Sequence, residues 1–89
     1  MNPILISSID EITQSDTRYA HISKPSKWIQ INLEYDGEYT IFGMVFGDQP
    51  TAVSKSGFMC RTWKTFKGAK NYLKICSKNG SWGMGHWNQ

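Results

Sequence analysis

Two cysteines and two histidines are the residues whose types best suit catalysis or metal binding, and their spacing serves neither. Cys60 and Cys76 lie at opposite ends of a stretch with helical periodicity. A helix of that length holds them about 20 Å apart, beyond the roughly 7 Å between Cα atoms that a disulfide tolerates. Both read as buried thiols that pack as small hydrophobes, in keeping with a reducing compartment. A metal centre would need Cys60, Cys76, His21 and His86 to converge, yet the chain has no CxxC or HxxxH pair to begin one. No metal site and no cofactor are expected. Nucleophile elbow, Gly-rich phosphate loop and HExxH motif are all missing from the sequence. His21 and His86 are the only side chains that titrate near neutral pH, and nothing in the spacing sets either beside a nucleophile. The sequence reads as a protein that is not an enzyme.

The cations are more informative. All seven acids fall in residues 1–48, where Arg18, Lys24 and Lys27 offset them to leave −4. Residues 49–89 hold Lys55, Arg61, Lys64, Lys67, Lys70, Lys74 and Lys78 with no acid, or +7. Such asymmetry suits a partner of negative potential, either nucleic acid or an acidic protein surface. The plainer alternative is a solvated face, with the two halves attracting each other in the fold. Lys64, Lys67, Lys70, Lys74 and Lys78, preceded by Arg61, share one helical stripe with no acid four residues away. Together they could neutralise several phosphates. Trp82, His86 and Trp87 in the tail could add stacking surfaces for unpaired bases, or the tryptophans could simply close the core. Eight Lys against two Arg favours non-specific attraction over bidentate base readout. The candidate binding residues are therefore Arg61, Lys64, Lys67, Lys70, Lys74, Lys78, Trp82 and Trp87.

Two elements must position that stripe. The first is a hairpin of residues 27–35 and 38–46 joined by Asp36-Gly37, a pair favoured in two-residue type I′ turns. That turn predicts Tyr35 opposite Glu38, Leu33 opposite Thr40, Ile31 opposite Phe42 and Ile29 opposite Met44. The core face then gathers Ile29, Ile31, Leu33, Tyr35, Phe42, Met44 and Phe46. The second is a helix from about Thr62, which can cap it, to Lys78, closed by Asn79-Gly80. Its apolar stripe is Trp63, Phe66, Ala69, Leu73 and Cys76. The expected core is Ile29, Ile31, Leu33, Phe42, Met44, Phe46, Trp63, Phe66, Ala69 and Leu73.

The remaining segments carry weaker signals. Ser8 and Glu11 form a plausible capping box for a short helix over 9–15, with Ile9 and Ile12 inward. Residues 3–6 could begin a strand and 19–22 could form another. Residues 52–54 or 58–60 could supply a further strand, and the Gly- and Trp-rich tail after Ser81 could run along the sheet edge.

Eighty-nine residues at 39% hydrophobic and 19% charged make a single globular domain, 1–89, with one modest core. No apolar run is long enough to span a membrane, and the N-terminus lacks the form of a secretion signal. The expected fold class is α+β: an antiparallel sheet of three or four strands with one main C-terminal helix packed on one face. The stretch Thr65-Phe66-Lys67-Gly68-Ala69-Lys70-Asn71-Tyr72-Leu73-Lys74, following a β-hairpin, resembles the helix of many small phage and prophage proteins. In size and layout the chain is similar to host-takeover proteins, the anti-CRISPR proteins among them. That resemblance carries no site residues. It implies a non-enzymatic phage or mobile-element inhibitor that blocks a host nucleic-acid-handling complex by protein–protein contact. The basic C-terminal half departs from acidic DNA mimicry. The expected partner is a host protein or ribonucleoprotein complex in the cytoplasm, with the chain a monomer or homodimer. The alternative is direct DNA or RNA binding through the basic helix face.

Overall fold

The computed structural model describes residues 2–44, 51–52 and 62–88. Strands β1 (Ile4–Ile6), β2 (Arg18–His21), β3 (Ile29–Leu33), β4 (Tyr39–Gly43) and β5 (Thr51–Ala52) form one sheet in chain order. Helix α1 (Phe66–Asn79) packs against it. The fold is α+β, as expected, with one C-terminal helix on one sheet face. The sheet is mixed, however, rather than wholly antiparallel, because β1 pairs parallel to β2. Its four longer strands hold three to five residues each, and β5 adds two.

A parallel neighbour needs a crossover, and residues 7–17 provide it. Within them Ser8 caps a single 3₁₀ turn (Ile9–Glu11) in the expected capping box. Glu11 accepts from Ser7 N and Ser8 N at 2.9 Å each, while Ser8 Oγ accepts from Asp10 N at 3.2 Å. The helix expected over 9–15 stops after that one turn, and Ile9 and Ile12 are buried as expected. The Tyr19 hydroxyl accepts from Gln14 N at 3.2 Å, and Asp16 N donates to Ile31 O at 2.7 Å. These bonds tie the crossover to the sheet.

The hairpin forms, but with a different turn. Gly37 N donates to Glu34 O at 3.0 Å and Glu34 N to Glu38 O at 2.8 Å, enclosing the three residues Tyr35-Asp36-Gly37. Gly37, at φ +85°, takes the left-handed position that such a loop requires. One extra loop residue shifts the register by one, and the pairs become Leu33 with Tyr39, Ile31 with Ile41 and Ile29 with Gly43. A one-residue slip exchanges the faces of a strand. Ile41, 1% exposed, is therefore the core residue, and Phe42 lies on the opposite face against Trp28, ring centroids 5.8 Å apart. Leu33 and Tyr35 are exposed, Met44 is half-buried, and Phe46 lies outside the described residues. Gly43 is the point of closest approach in the register. A Cβ there would stand 2.6 Å from Trp28 O.

Helix α1 begins later than its apolar periodicity suggests. Trp63 is still extended, exchanging both backbone bonds with Tyr39 at 2.8 Å. Thr65, not Thr62, is the N-cap, accepting from Gly68 N at 2.9 Å, and Gly80 closes the C-terminus in the left-handed conformation. Ala69, Leu73 and Cys76 are buried as expected, Trp63 is buried beside them, and Phe66 packs at their margin. The tail is not an edge strand. It folds into two 3₁₀ turns, Ser81–Gly83 and Gly85–Asn88, which bring Met84 and Trp87 into the core. Residues 53, 54 and 58–60, read as a further strand, lie outside the described residues.

The register makes a direct prediction. Ile41→Ala should destabilise the fold by about 2–5 kcal/mol in chemical denaturation, and Gly43→Ala by about 1–3 kcal/mol through overpacking. An insensitive Ile41 would mean that Phe42 faces the core after all.

Candidate binding site on the basic flank of the C-terminal helix

The phase of α1 is set by burial of Ala69, Leu73 and Cys76, so Lys67, Lys70, Lys74 and Lys78 emerge together on the flank that runs past the Ile9–Glu11 turn. Lys64 lies just before the cap and is exposed. Arg61 lies outside the described residues. The lysines have no acid four residues away, but the crossover brings one from a distant part of the chain. Asp10 Oδ1 lies 2.8 Å from Lys74 Nζ, and the Asp10 carbonyl accepts from Lys70 Nζ at 2.8 Å. Lys74's hydrogen bond and charge, with a smaller contribution from Lys70, hold the Asp10 carboxyl below its usual range. Both partners of the ion pair are well exposed, so it contributes little to stability. Its effect is local neutralisation. Among the described residues Lys64, Lys67 and Lys78 have no ion pair, and the flank stays cationic.

Two open grooves border this flank. The smaller, of about 280 Å³, is lined by Asp10, Phe66, Lys67, Lys70, Asn71 and Lys74. The larger, of about 530 Å³, lies between α1, the Ile9–Glu11 turn and the Gly85–Asn88 turn. Lys74 and Lys78 stand on one side of it, with Ile9, Ile75 and Trp87 among its apolar lining.

The two tail tryptophans, expected either to stack on bases or to close the core, both make contacts within the chain. Trp87 is buried, with its ring edge-to-face with His21 at 5.2 Å between centroids. Trp82 is half-buried, and its Nε1 donates to the Tyr72 hydroxyl at 2.9 Å. The backbone of Trp82 sits at φ +57°, a conformation that costs an L-residue roughly 1–2 kcal/mol. The packed indole and its hydrogen bond hold it there. Trp87 thus helps to close the core, and Trp82 packs against it.

Sequence spacing gave no sign of one cluster. His21, from the core face of β2, meets His86 of the last turn at 6.0 Å between ring centroids. Ser23 N donates to His21 Nδ1 at 3.0 Å. His86 is 8% exposed, and neither ring nitrogen has a hydrogen-bond partner among the described residues. Burial, followed by the charges of Lys24, His21 and Lys27, pushes its pKa down, and the nearby Gly83 backbone opposes that shift without reversing it. Cys76 is a buried thiol, as expected, and burial pushes its pKa up. Cys60 lies outside the described residues, among which no three His, Cys, Asp or Glu side chains are placed to hold a metal ion. Nor is any helix among them long and apolar enough to cross a membrane.

No protein-family model, curated protein or solved structure matches this chain.

The buried imidazole gives a pH dependence with a definite sign. A histidine whose folded pKa lies below its unfolded value of 6.5 adds no pH dependence while neutral in both states. As pH falls below 6.5 the unfolded chain takes up the proton first, so stability falls. Asp10 and Glu11, both lowered, contribute in the opposite range and lose their effect only at more acid pH. Thermal melts should show Tm falling between about pH 7.5 and pH 5.5, and His86→Leu should flatten that slope. An unchanged slope in the variant would place the titration elsewhere.

Proposed function

We propose that this chain is a small, non-enzymatic binding protein that presents the basic flank of α1 to an acidic protein surface. The reading is supported by one observation above all: five lysines line or precede the flank, and among the described residues a single carboxylate, Asp10, pairs with one of them. The resemblance in size and layout to phage host-takeover proteins, anti-CRISPR proteins included, extends the proposal. On that extension the acidic surface belongs to a host nucleic-acid-handling complex in the cytoplasm, which the protein, as monomer or homodimer, inhibits by obstructing a contact. The pairing of Asp10 with Lys74 weakens the flank without reversing its sign.

Direct binding of DNA or RNA by the same lysines is the second reading, favoured by the same cationic excess. Against it stand the packing of Trp87 in the core and the engagement of the Trp82 indole by Tyr72. With those two indoles engaged within the chain, phosphate attraction by the lysines gives weak and strongly salt-dependent binding.

Mobility shifts at about 50 and 200 mM salt separate the two readings. The protein-contact reading predicts no retardation of DNA or RNA at either salt concentration. It also predicts a nuclease-resistant partner captured from host lysate, lost with Lys64→Glu/Lys67→Glu and retained with Asp10→Asn. Retardation at the lower salt that collapses at the higher would instead favour nucleic acid. Capture that ignores the charge reversal would remove the flank from either account.

A further inference from the structure

We infer that the larger groove, between α1, the Ile9–Glu11 turn and the Gly85–Asn88 turn, is a binding site for an acidic peptide segment carrying an aliphatic anchor. The inference rests on the reading of the flank as a protein-contact surface and names the chemistry of its ligand. Three observations lead to it. First, charge is distributed unequally between the two grooves. Asp10 lines the smaller one beside Lys67, Lys70 and Lys74, whereas the larger has Lys74 and Lys78 and, among the described residues, no carboxylate in its lining. The α1 carbonyls near Lys78 carry a partial negative charge of about half a unit. Lys78, which has no ion pair among the described residues, outweighs it, and Lys74 adds what its pairing with Asp10 leaves, so the groove keeps a cationic edge that complements an anion.

Second, the groove has an apolar lining that a simple phosphate site would not need. Ile75, 57% exposed, is joined there by Ile9 and Trp87, whose own burial keeps them fixed. A lone exposed isoleucine is ordinary. One set beside two further apolar residues and two ammonium groups matches a ligand with both characters. A nucleic-acid backbone offers charge to the lysines but nothing to cover Ile75. A peptide with a leucine between carboxylates offers both. Third, the remaining lining is polar and uncharged. Ser8, Asn71, Ser77 and Asn88 surround the apolar residues and can exchange hydrogen bonds with the amides of an extended peptide. The volume of about 530 Å³ lies within the usual range of ligand sites, about 300–1,000 Å³.

The test uses the full chain, labelled with ¹⁵N, and three probes. These are a blocked peptide of alternating glutamate and leucine, a blocked oligoglutamate of equal length, and a single-stranded oligothymidylate. The expected result is that the mixed peptide moves the amide resonances of Ile75, Ser77, Lys78 and Asn88 and the indole resonance of Trp87. It should bind about tenfold tighter than oligoglutamate, the least that burial of one aliphatic side chain should add. Ile75→Glu, a change at an exposed position, should remove that advantage, and Lys64→Glu/Lys67→Glu, outside the groove, should leave it. Equal affinity for the two peptides, shifts confined to other residues, or tighter binding of the oligothymidylate at the same resonances would overturn the proposal. If host-partner capture is lost with Lys64→Glu/Lys67→Glu while Ile75→Glu leaves capture and peptide binding intact, the groove fails and the flank reading stands. If neither variant alters capture or peptide binding, both fail.

Discussion

The register of the β3–β4 hairpin is the constraint from which the rest of the arrangement follows. A three-residue loop with Gly37 in the left-handed region puts Tyr39 and Ile41 on the side of Ile29 and Ile31. Gly43 then lies so close to Trp28 O that no side chain fits between them. The same register leaves the outward backbone groups of Tyr39 to pair with Trp63. That pairing keeps Trp63 extended and delays α1 until Phe66. With the helix start set in this way, Ala69, Leu73 and Cys76 point inward and the lysines turn to the flank. A turn of one residue fewer would have moved each of these features.

Electrostatics act on a smaller scale than the composition suggests. The acidic first half and basic second half of the chain meet, in the described ion pairs, through Asp10 and Lys74. Lys70 adds a bond to the Asp10 carbonyl rather than to its carboxylate. Because the pair is exposed, its energy is modest, but its position matters. It neutralises the middle of the flank and leaves cationic character toward both ends, at Lys64 and Lys67 and at Lys78.

The C-terminal tail illustrates what a small domain demands of its large side chains. A chain of this size buries a limited fraction of its surface, and Trp87 and Met84 are drawn inward to complete the core. The tail accepts a left-handed Trp82 and a buried His86 without hydrogen-bond partners among the described residues. Both features cost stability, and the burial of neighbouring apolar surface offsets them. The same turn then forms a wall of the larger groove.

The sequence by itself determined the elements with local causes. The Ser8–Glu11 capping box, the helix stop at Gly80, the hairpin and the inward stripe Ala69, Leu73 and Cys76 all depend on neighbours within a few residues. The α+β class followed from them. Tertiary structure decided what depends on distant pairing. Whether Asp36-Gly37 closes a two- or a three-residue loop is a small local difference, yet it exchanged Phe42 for Ile41 in the core because strand side chains alternate. The start of α1 was decided by Trp63 finding Tyr39, and the parallel placement of β1 by a crossover with no periodic signature. For the site, the lysine stripe was legible from helical spacing, whereas its neutralisation by Asp10, 64 residues before Lys74 in the chain, was not. Nor could spacing bring His21 to His86 or withdraw Trp87 from the surface. Contacts of that range are chosen by the burial of the whole core, not by any segment's own preferences.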